Sequence, residues 1–182
     1  MQALALLFSA GLYVLPLGIP LAVGEAKHKL RHEVADASKV FEKFPSAVAI
    51  FDQDLDGDLD CVTAVRTDLN PETHESTYIW ILKGLNGNTP ENITLHVKPG
   101  ATPDTFSLTT GNDNANEQTA DFLYTDYKDC LVVNIPYKNT EQCMLWVADA
   151  RKDDIPQSCV DYYEDNCDTE KTAYVKDVCS SS

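Results

Sequence analysis

The chain has 182 residues, the size of one domain, and its 29 acidic against 14 basic side chains give a formal charge of −15. So acidic a surface repels phosphate, which excludes nucleic acid and anionic membrane as partners held by charge. It suits a cationic partner, but bulk charge cannot specify one.

Residues Met1 to Gly24 contain no Asp, Glu, Lys or Arg. The apolar runs Ala3–Phe8 and Leu12–Leu17 precede Pro20 and the small residues Ala22 and Gly24. This pattern predicts a signal peptide over residues 1–24, although the usual basic start is missing. A membrane anchor is the competing reading. The stretch is interrupted by Pro16 and Pro20, and short for the ~20 residues of a span. Residues 25–182 are then one secreted domain, in a compartment where cysteines oxidise.

Glu25 to Phe44 carries Val34, Ala37, Val40, Phe41 and Phe44 at helical spacing, and Pro45 stops it. Short strands follow: Ser46–Phe51, Cys61–Thr67, Ser76–Leu82, Ile93–Val97, Thr105–Thr109, Ala120–Tyr127, Cys130–Tyr137 and Gln142–Ala148. Turn residues divide them: Gly84, Asn86-Gly87 and Pro99-Gly100, then a polar stretch from Gly111 to Gln118 that reads as a loop. Lys138-Asn139-Thr140 reads as a hairpin link. Ile155 to Asn166 reads as a terminal helix. The fold class is therefore all-β: an eight-stranded antiparallel barrel with an N-terminal and a C-terminal helix. Closure removes sheet edges, and eight strands enclose room for one small ligand.

Six cysteines occur, Cys61, Cys130, Cys143, Cys159, Cys167 and Cys179, and fifteen pairings are formally possible. Asn92-Ile93-Thr94 is a glycosylation sequon, with Asn92 on an exposed face. Asp52 to Asp60 nearly fits the calcium loop D-x-D-x-D-G, with Leu59 in its apolar slot. Its twelfth position is Thr63 rather than Glu, and no helix follows, so the expectation is a solvated acidic turn without metal. The four histidines, His28, His32, His74 and His96, sit in no nucleophile or metal motif, and neither G-x-S-x-G nor H-E-x-x-H occurs. No enzymatic activity and no cofactor are expected.

Cys130-Leu-Val-Val, Cys143-Met-Leu-Trp146-Val and Cys159 resemble the corresponding segments of the tick salivary lipocalins, the group that includes the histamine-binding proteins. The match extends to Asp60-Cys61-Val62 and to Cys179 and spans the mature chain. The resemblance implies a disulfide-stapled lipocalin barrel with Cys61–Cys179 and Cys130–Cys159 bridges, which leaves Cys143 and Cys167 for a third. Amine-binding members carry Cys-Asp-[Val/Ile/Leu] in the first of these segments, then Glu-Leu-[Trp/Tyr], then a cysteine. Here Leu131 and Met144 stand in place of that Asp and Glu. A buried ammonium is costly unless paired, so losing both carboxylates argues against histamine or serotonin.

An apolar ligand is the expected replacement, lined at alternating positions by Tyr78, Trp80, Leu82, Phe106, Leu108, Phe122, Leu131, Val133, Ile135, Met144 and Trp146. Ordinary core packing competes for each of these, and a one-residue register error would turn a set outward. The resemblance is closest to a family member that carries cholesterol and acts on host dendritic cells. It implies a secreted, monomeric, glycosylated immunomodulator holding a sterol. One alternative is a scavenger of leukotriene, fatty acid or biogenic amine. Another is a binder of a host immune-cell surface protein through its loops, with the barrel as scaffold.

Overall fold

The computed structural model describes residues 30–111, 113–168 and 171–180. The expected leader and the first residues of the expected N-terminal helix lie outside these. Eight strands make the wall: β1 (Ser46–Asp52), β2 (Thr63–Leu69), β3 (Ser76–Leu82), β4 (Glu91–Pro99), β5 (Thr105–Thr110), β6 (Asp113–Thr125), β7 (Cys130–Tyr137) and β8 (Thr140–Ala148). Each pairs antiparallel with the next, and β8 returns to β1, where Val48 faces both Val147 and Thr63. The sheet is thus closed. A two-residue strand, β9 (Lys171–Thr172), pairs with Phe51 and Asp52 beyond the point where β2 leaves β1.

Alternation along the strands sorts side chains to two cores. Trp80, Leu82, Leu95, Val97, Phe106, Phe122, Leu131, Val133, Met144 and Trp146 belong to the barrel interior. Cys130, Val132, Cys143, Leu145 and Val147 face outward beneath helix α2 (Gln157–Asn166), against its buried Cys159 and Tyr163. Strands β7 and β8 are therefore buried on both faces, which is why they read as near-continuous apolar runs. The turn between them holds Lys138 and Asn139 at φ 45° and 66°, the left-handed pair of a two-residue hairpin.

The bridges are Cys61–Cys179, Cys130–Cys159 and Cys143–Cys167, with Cα–Cα distances of 5.3, 6.1 and 5.7 Å. The last two clamp α2 to β7 and β8. The first ties the start of β2 to the terminal helix α3 (Lys176–Cys179).

Two expected elements come out differently. The N-terminal helix α1 is only Ala37–Lys43. The Asp36 carboxylate accepts the Lys39 N–H at 3.2 Å and caps the helix there. Residues 30–36 instead form no helix, and the first of them are tied to α2. Leu30 N–H donates to Asp165, and the Tyr162 hydroxyl donates to Arg31 O. Val34, read as part of the apolar face, is 65% exposed. The second difference is the polar stretch read as a loop, most of which belongs to β6. Gly111, at φ 59°, makes the turn, and Asp113 already pairs with Thr110. Ladder pairing with β5 outweighs the weak intrinsic strand preference of Asn and Asp.

Candidate ligand-binding site

Helix α1 stoppers one end of the barrel. Ala37 N–H donates to Pro103 O at 2.8 Å, and the Arg66 guanidinium donates to Phe41 O. From this stopper Phe41 drops inward against Phe106 and Phe122, with ring centroids 5.6 and 5.9 Å away, while those two stack at 4.6 Å. Beneath it lies an inner cavity of about 80 Å³.

Of the residues expected to line a pocket, Tyr78, Trp80, Phe106, Phe122, Leu131, Val133, Ile135 and Trp146 border this cavity. Leu82, Leu108 and Met144 point into the same interior but do not border it. Sequence reasoning missed Leu95 and Val97, although both flank the exposed His96 in clean alternation. It also missed Ala47, Ala64 and the α1 residues Val40, Phe41 and Phe44. The helical spacing of those last three marked a buried face without saying what it covers.

The lining contains no Asp, Glu, Lys, Arg or His. Its polar side-chain groups are the indole N–H groups of Trp80 and Trp146 and the Tyr78 hydroxyl, which donates to Phe44 O at 3.0 Å. Burial pushes the Tyr78 phenol up to about 12, so it stays neutral. Leu131 lies opposite Trp146, and Val133 opposite Met144, with all four side chains inside.

Toward the open end a second chamber of about 560 Å³ begins. Trp80, Leu95 and Ile135 border both spaces and form the partition between them. Trp80 packs against Trp146 at 5.3 Å on the inner side and Tyr137 at 6.1 Å on the outer. The outer chamber is mixed in character, with Glu91, Thr94, Thr110, Gln118, Tyr137 and Lys138 beside Ile93 and Leu108. Asn92 is exposed at its rim.

The acidic turn between β1 and β2 sits at this open end and is not the solvated turn expected. Asp52, Asp54 and Asp58 are 0, 9 and 3% exposed. The reason is packing: Leu59 and Val62 are drawn into the interior core and take the turn down with them. Asp54 is tied up by the N–H groups of Gly57 and Asp58, at 2.8 and 3.1 Å. Burial raises Asp54, and the neighbouring Asp58 and Asp56 carboxylates raise it further. Asp52 is pushed up to about 6, first by burial and then by Asp54 and Asp60, against the opposing charge of Lys171. For Asp58, burial is outweighed by the Lys138 ammonium and the Tyr137 hydroxyl, which donates to it at 2.9 Å, so its carboxyl is held low. No described helix is long and apolar enough to cross a membrane.

The model of the tick histamine-binding protein family matches residues 26–181. Among solved structures, the serotonin complex of AM182 superposes with a TM-score of 0.58 at 15% identity, covering 80% of this chain and 93% of that one. Japanin from Rhipicephalus appendiculatus, bound to cholesterol, gives 0.52 at 12% identity, covering 71% of this chain and 93% of japanin. The cockroach major allergen Per a 4 gives 0.54 at 13% identity, covering 82% and 95%. No curated protein sequence matches. The structural likenesses establish the lipocalin barrel, and the family match spans nearly the whole length. The chain belongs to the tick histamine-binding protein family.

Proposed function

We propose that this chain is a secreted carrier that takes an apolar molecule, of which cholesterol is the leading candidate, into its barrel and acts on host immune cells, dendritic cells among them. The observation that carries the reading is the lining of the inner cavity, which has no ionisable side chain other than the neutral Tyr78 phenol. An ammonium there would lose its hydration and gain no counter-charge, at a cost of several kcal/mol. The frame of this fold serves both chemistries, since AM182 is seen with serotonin and japanin with cholesterol. Interior side chains decide between them, and here Leu131 and Met144 favour the apolar one.

Size sets a condition on this function. Ligand pockets usually span ~300–1,000 Å³, and the inner cavity is about 80 Å³. A sterol-sized occupant therefore extends into the outer chamber, and the Trp80–Leu95–Ile135 partition opens to admit it. The secreted setting is supported by the three disulfides and the apolar leader. Asn92, exposed at the rim, is the proposed glycan site.

The test uses Trp80 and Trp146, which both border the cavity. Titration of delipidated protein with a fluorescent sterol should produce energy transfer from tryptophan that unlabelled cholesterol reverses. Calorimetry with histamine and with serotonin should show no tight binding. Tight amine binding without a sterol response overturns the proposal. Displacement by a fatty acid or leukotriene but not by cholesterol moves the function to mediator scavenging. The cellular role is tested by comparing sterol-loaded and delipidated protein on cultured dendritic cells, where an inert protein in both forms removes it.

A further inference from the structure

Tyr137 is the last residue of β7, packed against the interior core and half-buried at the edge of the outer chamber. Its ring lies 6.1 Å from Trp80, and Trp80 in turn lies 5.3 Å from Trp146 on the inner side of the partition. The left-handed turn of Lys138 and Asn139 follows directly. An aromatic side chain has three staggered χ1 positions, so contact with one neighbour at a hairpin end does not by itself select one.

The selection comes from the β1–β2 turn. The Tyr137 hydroxyl donates to Asp58 Oδ2 at 2.9 Å, a bond between residues 79 apart in the chain. The Lys138 ammonium meets the same oxygen and lies over the Tyr137 ring, 5.3 Å from its centroid. Asp58 is itself well anchored. Its side chain is 4% exposed, and its neighbours Leu59 and Val62 are buried in the interior core. The Asn86 amide donates to Gly57 O and to Asp60, at 3.3 and 2.6 Å, and Lys171 pairs with Asp60 at 2.7 Å. The Cys61–Cys179 bridge holds the end of the turn. One carboxylate thus joins the β1–β2 turn to the β7–β8 hairpin, through charge-assisted bonds about twice as strong as neutral ones.

We propose that Asp58 is a positioning residue which, through Tyr137, clasps Trp80 in the closed partition and so sets how often the passage between outer chamber and inner cavity opens. The clasp is a property of the chain itself; only its consequence, the rate at which a guest enters, rests on the carrier reading above. A guest that needs the open form enters in proportion to the open fraction. Losing one hydrogen bond to a charged group raises that fraction about tenfold.

Tyr137→Phe is the main variant, because it keeps the ring beside Trp80 and removes only the hydroxyl. In delipidated protein, hydrogen exchange of the Trp80 indole N–H, followed by NMR, should quicken about tenfold, while the amides of β7 and β8 keep their wild-type rates. Stopped-flow uptake of a fluorescent sterol should quicken by the same factor. Asp58→Ala should match Tyr137→Phe, and the double variant should add nothing, because both changes remove one shared bond. Where Asp58→Ala does not fold, Tyr137→Phe decides alone. Unchanged indole exchange in Tyr137→Phe overturns the clasp. So does a parallel rise in the β7 and β8 amides, which is general loosening, or multiplied effects in the double variant. An indole response without faster sterol uptake overturns the role in entry. An indole response in a chain that takes up no sterol at all supports the clasp and overturns the carrier reading.

Discussion

Leu131 and Met144 put apolar side chains at two interior positions of the barrel, and the proposed apolar ligand rests on what they lack. Both side chains point inward, Leu131 onto the cavity and Met144 into the fully buried layer beside it. Each stands where amine-binding relatives of the same pattern place a carboxylate. A double change, Leu131→Asp with Met144→Glu, puts two acids into a space that holds no base. Sterol affinity should fall at least about tenfold, equivalent to roughly 1.4 kcal/mol. The fluorescence titration above reads that loss, and calorimetry with serotonin reads any compensating gain. An unaltered sterol response would mean that these side chains do not face the ligand. The inward parity of β7 and β8 was suggested by the resemblance, through Leu131 and Met144, and not by alternation, because outward Cys130, Val132 and Leu145 make the second face apolar too. The burial of Asp54 and Asp58 was not, since only tertiary contacts reveal that Leu59 and Val62 pull an acidic turn inside.

Helix α2 shows how one element is held by two unequal means. Its Tyr163 is fully buried against the outer face of β7 and β8, and its hydroxyl donates to Asp52 O at 3.3 Å. Two disulfides then clamp it. By loop entropy, the Cys143–Cys167 bridge, with a separation of 24 residues, contributes about 3.5 kcal/mol, and Cys61–Cys179, with 118, about 5. The first figure is an upper bound, because Cys130–Cys159 already closes an overlapping loop. Replacing Cys143 and Cys167 by alanine should therefore lower the unfolding free energy by less than replacing Cys61 and Cys179, as urea denaturation would measure. A reversed order would show that native packing at α2, not chain restriction, dominates. At this scale the sequence was most readable where apolar, strand-forming runs are bounded by polar or turn residues, so Ser76–Leu82 and Cys130–Tyr137 have the expected bounds. It was least readable where pairing or capping overrides composition, in the polar first half of β6 and at the Asp36 cap that shortens α1.

For the whole molecule, the arrangement of outer cover matters most. The α2 layer and two of the three disulfides lie over β7 and β8, while the outward faces of β3, β4 and β5 meet no helix among the described residues. That half of the wall shows polar side chains such as Thr77, His96 and Lys98 to solvent. Amide hydrogen exchange should accordingly be slowest in β7 and β8 and faster by a factor of ten or more, about 1.4 kcal/mol, in β3 to β5. Uniform protection around the barrel would contradict this. Trp80 and Leu95, two of the three partition residues, belong to the uncovered half, while Ile135 belongs to the clamped half. The barrel thus works like a locket with a stiff back plate and a compliant front. A guest too large for the inner cavity is expected to gain its volume from the bare front, along the seams where the covered and bare strands meet.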